Sequence, residues 1–376
     1  MLNEHSRIQG EVYVVIPDAD SELTLKVIRC LGKIPNIFPI LITTKSSNPA
    51  LFSKFCWKHY LVSSYDETSL LHFFTYKIAP KKPIIFPVDH NGFMFVSKHK
   101  PTLLKRFYIP PIPDVNTLEN ASDKFKLSEI ANSINISTLP SFLLSNKLPH
   151  YENSSKFNFP FLIKARNRRG GFGISIIKDV IDLQKFLDNL NNHQRDQYLI
   201  QPYIDGTDYS LSVFCQDGQI LSHTLWRAVC YGDKPFSIPT VIQFVNEPRI
   251  LTAGKHMIKA LNWNGVADID FFVEKNSDSF WLLEMNTRFW QTVGACREAG
   301  VNFPVLQSLS ALGTGNLQQK AKVGLYYARP SGVLDMLKNR LKKDSKLTEG
   351  STTKSALWEI FTDPGPEIRQ AFQMLK

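Results

Sequence analysis

The sequence predicts an α/β domain of Rossmann-like layout followed by an α+β region. Three observations carry this. Short β-branched runs alternate with segments of helical spacing up to about residue 115. The hairpin signal Gln216-Asp217-Gly218 then joins two longer apolar runs. A further pair of runs, 267–273 and 280–285, is joined by the polar turn 275–279.

Residues 11–17 (EVYVVIP) read as a buried strand. Residues 21–31 place Leu23, Val27, Ile28 and Leu31 at helical spacing, with Ser21 or Asp20 available as the N-cap. Residues 38–43, 60–62 and 84–88 read as three more strands. Such alternation implies a parallel sheet with right-handed crossovers. Pro17-Asp18-Ala19-Asp20 stands where a Gly-rich dinucleotide fingerprint would be, so no NAD site is expected. Residues 108–114 (YIPPIPD) mark a domain edge. A helix over 122–134 and a strand over 159–165 follow, and the strand runs into a basic glycine loop. Residues 198–203, 209–215 and 219–226 read as antiparallel strands, with helices over 251–261 and 303–312. Beyond about 325 the sequence gives a basic helix, a polar stretch over 344–355 and a terminal helix after Pro364-Gly365-Pro366.

A chain of 376 residues, 43% of them hydrophobic, can bury a sizeable core in two or three domains. No apolar run approaches the roughly 20 residues that span a bilayer, and residues 1–10 lack the layout of a signal peptide. The expectation is a soluble cytoplasmic protein. The five cysteines are scattered, without metal-ligand spacing, and read as reduced thiols. A net charge of +10 admits nucleic acid, anionic membrane or anionic metabolites as partners. No helix-turn-helix, zinc-finger or aromatic RNA-binding signature accompanies it, and much of it lies in 338–346, which reads as a solvated helix face. Neither nucleic acid nor membrane is expected as a partner.

Three constellations carry chemistry. Lys164 is followed by Arg166, Arg168, Arg169, Gly170, Gly171 and Gly173. A lysine at a strand end beside a glycine loop can hold phosphates, because the backbone N–H groups approach without side-chain obstruction. A glycine hairpin with solvated arginines fits the same residues. Asp270, Glu284 and Asn286 fall on adjacent strands, and Glu284 and Asn286 share a face. Three converging oxygen ligands without Cys or His suit Mg²⁺; solvent-facing polar residues are the alternative. Arg288 continues that alternation and could stabilise charge on a transferred phosphoryl group, or form a salt bridge to Glu284 or Asp270. Gln201-Pro202-Tyr203-Ile204, with Asp208 beyond, could present backbone groups to an adenine and a carboxylate to its ribose. Taken alone, these residues read more simply as an ordinary strand, turn and surface aspartate.

The order and spacing of these signals resemble the ATP-grasp superfamily, which includes D-alanine–D-alanine ligase, biotin carboxylase and the large chain of carbamoyl phosphate synthetase. The resemblance rests on Asp123-Lys124 at a helix start, Leu139-Pro140, Lys164, the loop Arg169-Gly170-Gly171-Phe172-Gly173, the hinge Gln201–Ile204 with Asp208, and the metal pattern Asp270, Glu284, Asn286 with Arg288. It covers roughly residues 115–315. It implies a Rossmann-like pre-ATP-grasp domain over 1–115, an ATP-grasp domain of two α+β lobes over 116–320 with a mobile lid at about 124–200, and a C-terminal extension over 321–376.

The resemblance further implies ATP held by Lys124, Lys164, Arg169, Gly170, Gly171, Gly173, Gln201, Pro202, Tyr203, Ile204 and Asp208. Mg²⁺, with Mn²⁺ as an alternative, would sit on Asp270, Glu284 and Asn286, and Lys164, Arg288 and Arg227 would act in catalysis. The implied reaction phosphorylates a carboxylate and joins it to an amine, an amino acid being a reasonable guess for one substrate. ATP-dependent carboxylase or kinase chemistry and a non-catalytic Mg-ATP sensor stand as alternatives, and a homodimer is left open. The sequence departs from the family pattern at Ala165, where proline is usual, at Gln201, where the hinge commonly has Glu, and at Asp208, one methylene shorter than the usual Glu. Arg227 reads either as a carboxylate clamp or as a structural ion pair.

Overall fold

The computed structural model describes residues 10–78, 82–144, 159–167, 173–232, 236–275, 277, 279–334 and 352–374. Three sheets organise them. The first is parallel and contains β1 (Val12–Ile16), β2 (Ile37–Thr43), β3 (Lys58–Leu61) and β4 (Ile84–Ile85) in the order β3-β2-β1-β4. The helix Thr24–Leu31 buries Val27, Ile28 and Leu31, the periodic set that predicts it. Neither expected cap serves its N-terminus. Leu23 is the N-cap residue, without a side-chain bond, because both polar candidates are engaged elsewhere. Asp20 accepts from the Thr44 amide and from the Thr43 and Thr44 hydroxyls, and Ser21 donates to Asp89.

The second sheet is small and antiparallel: β5 (Phe142–Leu143), β6 (Phe161–Ala165), β7 (Ile174–Ile177) and β8 (Tyr198–Pro202), ordered β5-β8-β6-β7. It has its own core of Leu144, Phe161, Ile163, Ile177, Leu183 and Ile200, apart from the main one.

The third sheet holds β9 (Gly206–Gln216), β10 (Gln219–Cys230), β11 (Val241–Phe244), β12 (Gly265–Glu274), β13 (Phe280–Asn286), β14 (Tyr326–Ala328) and β15 (Thr353–Ser355), ordered β13-β12-β9-β10-β11-β14-β15. The β9–β10 turn places Asp217 and Gly218 at φ 50 and 70, the left-handed pair that a two-residue hairpin of this twist requires. One apolar core runs from the first sheet into the third.

The helix expected over 122–134 is the second of two, Val115–Ser122 and Lys124–Ser133. Asp123 separates them: it ends the first and caps the second, accepting from the Phe125 and Lys126 amides. Strand β10 runs four residues past the expected end, and β11 follows it. The basic stretch 338–346 lies outside the described residues. The tail that follows it pairs β15 with β14 and adds the helices Leu357–Thr362 and Gly365–Met374. All five cysteines are free thiols, with Cys30, Cys215 and Cys296 buried. Among the described residues no helix is long and apolar enough to cross a membrane.

Candidate active site

A cavity of about 420 Å³ opens between the second and third sheets. Strand register sets its floor. Across β10, β9, β12 and β13, Trp226, Ser210, Asp270 and Glu284 stand opposite one another in a row. Cross-strand partners project to the same face, so this row points one way. Asn286 and Asp268, two residues along their strands from Glu284 and Asp270, share that face. All of these except Ser210 line the cavity.

The acids are buried together. Asn286 Nδ2 donates to Asp270 Oδ2 at 3.0 Å. Burial, then the neighbouring Asp268 and Glu284, pushes Asp270 well above the usual carboxylate range. Burial pushes Glu284 up as well, but Lys124, Lys164 and Arg288 outweigh it and hold this carboxyl below its ordinary value. Lys124 Nζ lies 2.8 Å from Glu284 Oε2.

Lys164 reaches the cavity from β6, and burial pushes its ammonium down to about 8, against the pull of Glu284 and with the repulsion of Lys124. An anion that neutralises this desolvated site would restore the charge. Titrating ADP into the protein at pH 8.5, in buffers of different ionisation enthalpy, should therefore show net proton uptake that is absent in Lys164→Met. Equal uptake in both proteins would remove Lys164 as the group that responds.

Asp208 lines the cavity, and its Oδ2 accepts from the Tyr231 hydroxyl at 2.7 Å. Burial raises Asp208, while Tyr231 and Lys164 oppose the shift. Pro202, Tyr203 and Ile204 also line the cavity, and Gly173 adopts φ 78 after the loop. Arg169, Gly170 and Gly171 lie outside the described residues.

Two expected residues are not brought to the cavity. Gln201 points its side chain the other way on β8, where it is buried and donates to Ser141 Oγ at 2.7 Å. Its amide is therefore not available to an adenine in this arrangement. Arg227 is exposed and donates to Gln243 Oε1 at 3.0 Å, because β10 continues through it and alternation gives the inward position to Trp226. Arg166 also serves structure: its guanidinium pairs with Asp123 and lies over the Phe125 ring. Arg288 does line the cavity, and its Nε is 3.2 Å from Asp89 Oδ1, neither Glu284 nor Asp270 being that partner.

Asp268 is the residue the sequence reading passed over. It is buried in the cavity wall and accepts from both Ser210 and Ser212 at 2.8 and 2.6 Å. Burial pushes it up to about 6 against those two hydroxyls. The signal was available: Asp268 stands two before Asp270, so the period of a strand puts both on one face.

The donor set fits a divalent cation that keeps other ligands. Among the described residues no three His, Cys, Asp or Glu side chains form a metal-holding group by themselves. The set is two carboxylates and an amide, which suits Mg²⁺ shared with phosphates and water.

Comparison with known proteins bears on this arrangement. Residues 140–307 match the family model described as the D-ala D-ala ligase C-terminus. The fold is similar to N5-carboxyaminoimidazole synthetase from Staphylococcus aureus, solved with ADP, at a TM-score of 0.67 and 14% identity, covering 90% of this chain and 87% of that one. The chain has the ATP-grasp fold. Over 201 residues the chain is 23% identical to a carbamoyl-phosphate synthase from Methanobrevibacter smithii, covering 51% of the chain and 53% of that relative. Over 180 residues it is 26% identical to a D-alanine–D-alanine ligase from Buchnera aphidicola subsp. Schizaphis graminum, covering 44% of the chain and 58% of that relative. The chain thus spans a little over half the length of either.

Proposed function

We propose that this ATP-grasp protein is an ATP-dependent ligase that activates a carboxylate as an acyl phosphate and joins it to an amine. The observation that carries the reading is the convergence of Asp270, Glu284 and Asn286 with Lys124, Lys164 and Arg288 on one cavity. Oxygen ligands for a metal, cations for phosphates and a fork for a carboxylate are all required by that chemistry, and an ordinary buried ion-pair network requires no cavity.

ATP occupies the cavity with its base against Pro202, Tyr203 and Ile204 and its ribose near Asp208. Lys124 and Lys164 neutralise phosphate oxygens. Asp270, Glu284 and Asn286 would hold magnesium, which would supply charge compensation for the phosphates. Arg288 orients the substrate carboxylate. An oxygen of that carboxylate bonds to the γ-phosphorus as the bond to the ADP oxygen breaks. The amine nitrogen then attacks the acyl carbon, loses a proton, and phosphate leaves. The second sheet, with its separate core, serves as the lid that keeps water from the acyl phosphate.

The test is ADP release with Mg-ATP against pooled amino acids, small carboxylic acids and bicarbonate. A pool of carboxylate and amine that stimulates release, with phosphate formed in equal amount, is the expected result. Stimulation by bicarbonate alone would replace the ligase reading with carboxylation. Binding of Mg-ATP, read as a raised melting temperature, with no stimulation by any pool would favour a sensor.

A further inference from the structure

The floor of the cavity contains a donor that the reaction above does not use. Trp226 is 6% exposed and lines the cavity, yet its indole Nε1 is buried with no hydrogen-bond partner among the described residues. A buried N–H left unpaired costs free energy, so a site that keeps one is arranged for an acceptor that arrives from outside. Trp290, the other indole of the wall, likewise has a buried Nε1 without a hydrogen-bond partner, but it stands beside the Cys296 thiol, outside the row that Trp226 heads.

Register fixes where the acceptor sits. Trp226 heads the row Trp226–Ser210–Asp270–Glu284, two strands from Asp270, and neighbouring strands lie roughly 4.8 Å apart. It is thus about 10 Å along the floor from the metal-side acids, on the side away from Glu284. Phe236, Ile238 and Pro239 line the same cavity, and Arg288 supplies a cation to it. A donor beside apolar surface, with a guanidinium in the same cavity, suits the carboxylate of a small molecule whose remainder is apolar. Lys164, Tyr203 and Asp208, which also line the cavity, are left to the nucleotide by the reaction proposed above.

We propose that Trp226 is a substrate-positioning residue whose indole N–H donates to a carboxylate oxygen of the co-substrate, and that it selects a carboxylate carrying an apolar side group. This rests on the ligase reading. The N–H is the discriminating element: phenylalanine keeps an aromatic ring there and removes only the donor. A hydrogen bond to a charged acceptor is worth about tenfold or more in binding.

The experiment uses the full chain with its six tryptophans labelled in the indole nitrogen. The Trp226 signal is identified by its absence from Trp226→Phe, or by through-bond correlation if that variant does not fold. Mg-ADP is added first, then the L-amino acids, acetate and benzoate one at a time. The expected result is that an apolar amino acid or benzoate moves the Trp226 N–H signal downfield and also stimulates ADP release. Trp226→Phe then raises KM for that compound about tenfold or more, with KM for ATP within twofold. If a compound stimulates ADP release while the Trp226 signal and the Trp226→Phe KM stay unchanged, the inference is overturned and the ligase reading stands. If Mg-ADP binds and no compound moves the signal, the carboxylate assignment is wrong. If Mg-ADP does not raise the melting temperature, the ligase reading fails and takes this inference with it.

Discussion

Glu284→Gln is expected to lower substrate-stimulated ADP release by on the order of 100-fold or more, the usual cost of removing one preorganised charge from a phosphoryl-transfer site. The substitution keeps side-chain size and removes one negative charge from the cavity wall. Glu284 is the acid best suited to hold a cation, because Lys124, Lys164 and Arg288 keep its carboxyl ionised despite burial. The same cations complicate the reading, since Lys124 sits 2.8 Å from it and Glu284 could serve only to balance that lysine. Magnesium dependence separates the two roles. A metal ligand predicts that the Mg²⁺ concentration for half-maximal activity rises at least tenfold on the order of its lost ligand charge. A mere counter-charge predicts an unchanged Mg²⁺ requirement. An unchanged requirement together with near-normal turnover would remove Glu284 from the metal site.

Much of the fold is legible in the sequence because its signals are local. The β1 run VYVVI is buried along most of its length and reads as an interior strand without any tertiary knowledge. Asp217-Gly218 dictates a hairpin because it tolerates left-handed backbone. The shared face of Asp270, Glu284 and Asn286 is legible for the same reason: a period of two fixes which residues project together. What escapes the sequence is strand extent. Whether β10 stops at Trp226 or runs to Cys230 depends on β11 pairing with it, and β11 is a four-residue strand far from its partner's first residues. That difference decides Arg227. A residue just past a strand end can turn into a cavity, whereas one within the strand is bound to alternate. Gln201 escapes for a related reason, since only the packing of β5 beside β8 brings Ser141 within reach of its amide. Asp20 and Ser21 show the limit at helix starts: both have capping chemistry, and long-range partners on β2 and beside β4 take both.

Asp363→Ala is expected to lower the unfolding free energy by about 3 kcal/mol, although residue 363 is far from the cavity in sequence and in role. Asp363 lies between the last two helices, and its side chain is 2% exposed against 7% for its partner Arg29. Arg29 Nε donates to Asp363 Oδ2 at 2.9 Å, Ser53 Oγ donates to the same oxygen at 2.7 Å, and the Lys54 amide donates to Oδ1 at 2.9 Å. Truncation leaves two buried donors, one of them a guanidinium, and the part-buried Lys54 amide short of an acceptor. Arg29 keeps Glu367 and the Asp363 carbonyl, which limits the loss to the lower part of the range for a broken buried pair. Asp363→Asn retains an acceptor oxygen and should lose less. Denaturant unfolding of the two variants beside the parent measures this, and an Asp363→Ala loss below about 0.5 kcal/mol would show the pair to be no more than a surface contact. The consequence reaches the site through the chain. Arg29 belongs to the helix after β1, and Arg297, on the helix that follows β13, donates to Glu359 at 2.8 Å in the same tail. The tail therefore ties the first sheet to the helix behind Glu284 and Arg288. Asp363→Ala should accordingly also release the tail to proteolysis at a lower protease concentration than the parent, while ADP affinity, which the proposed function assigns to Lys124, Lys164, Pro202, Tyr203 and Ile204, stays within twofold.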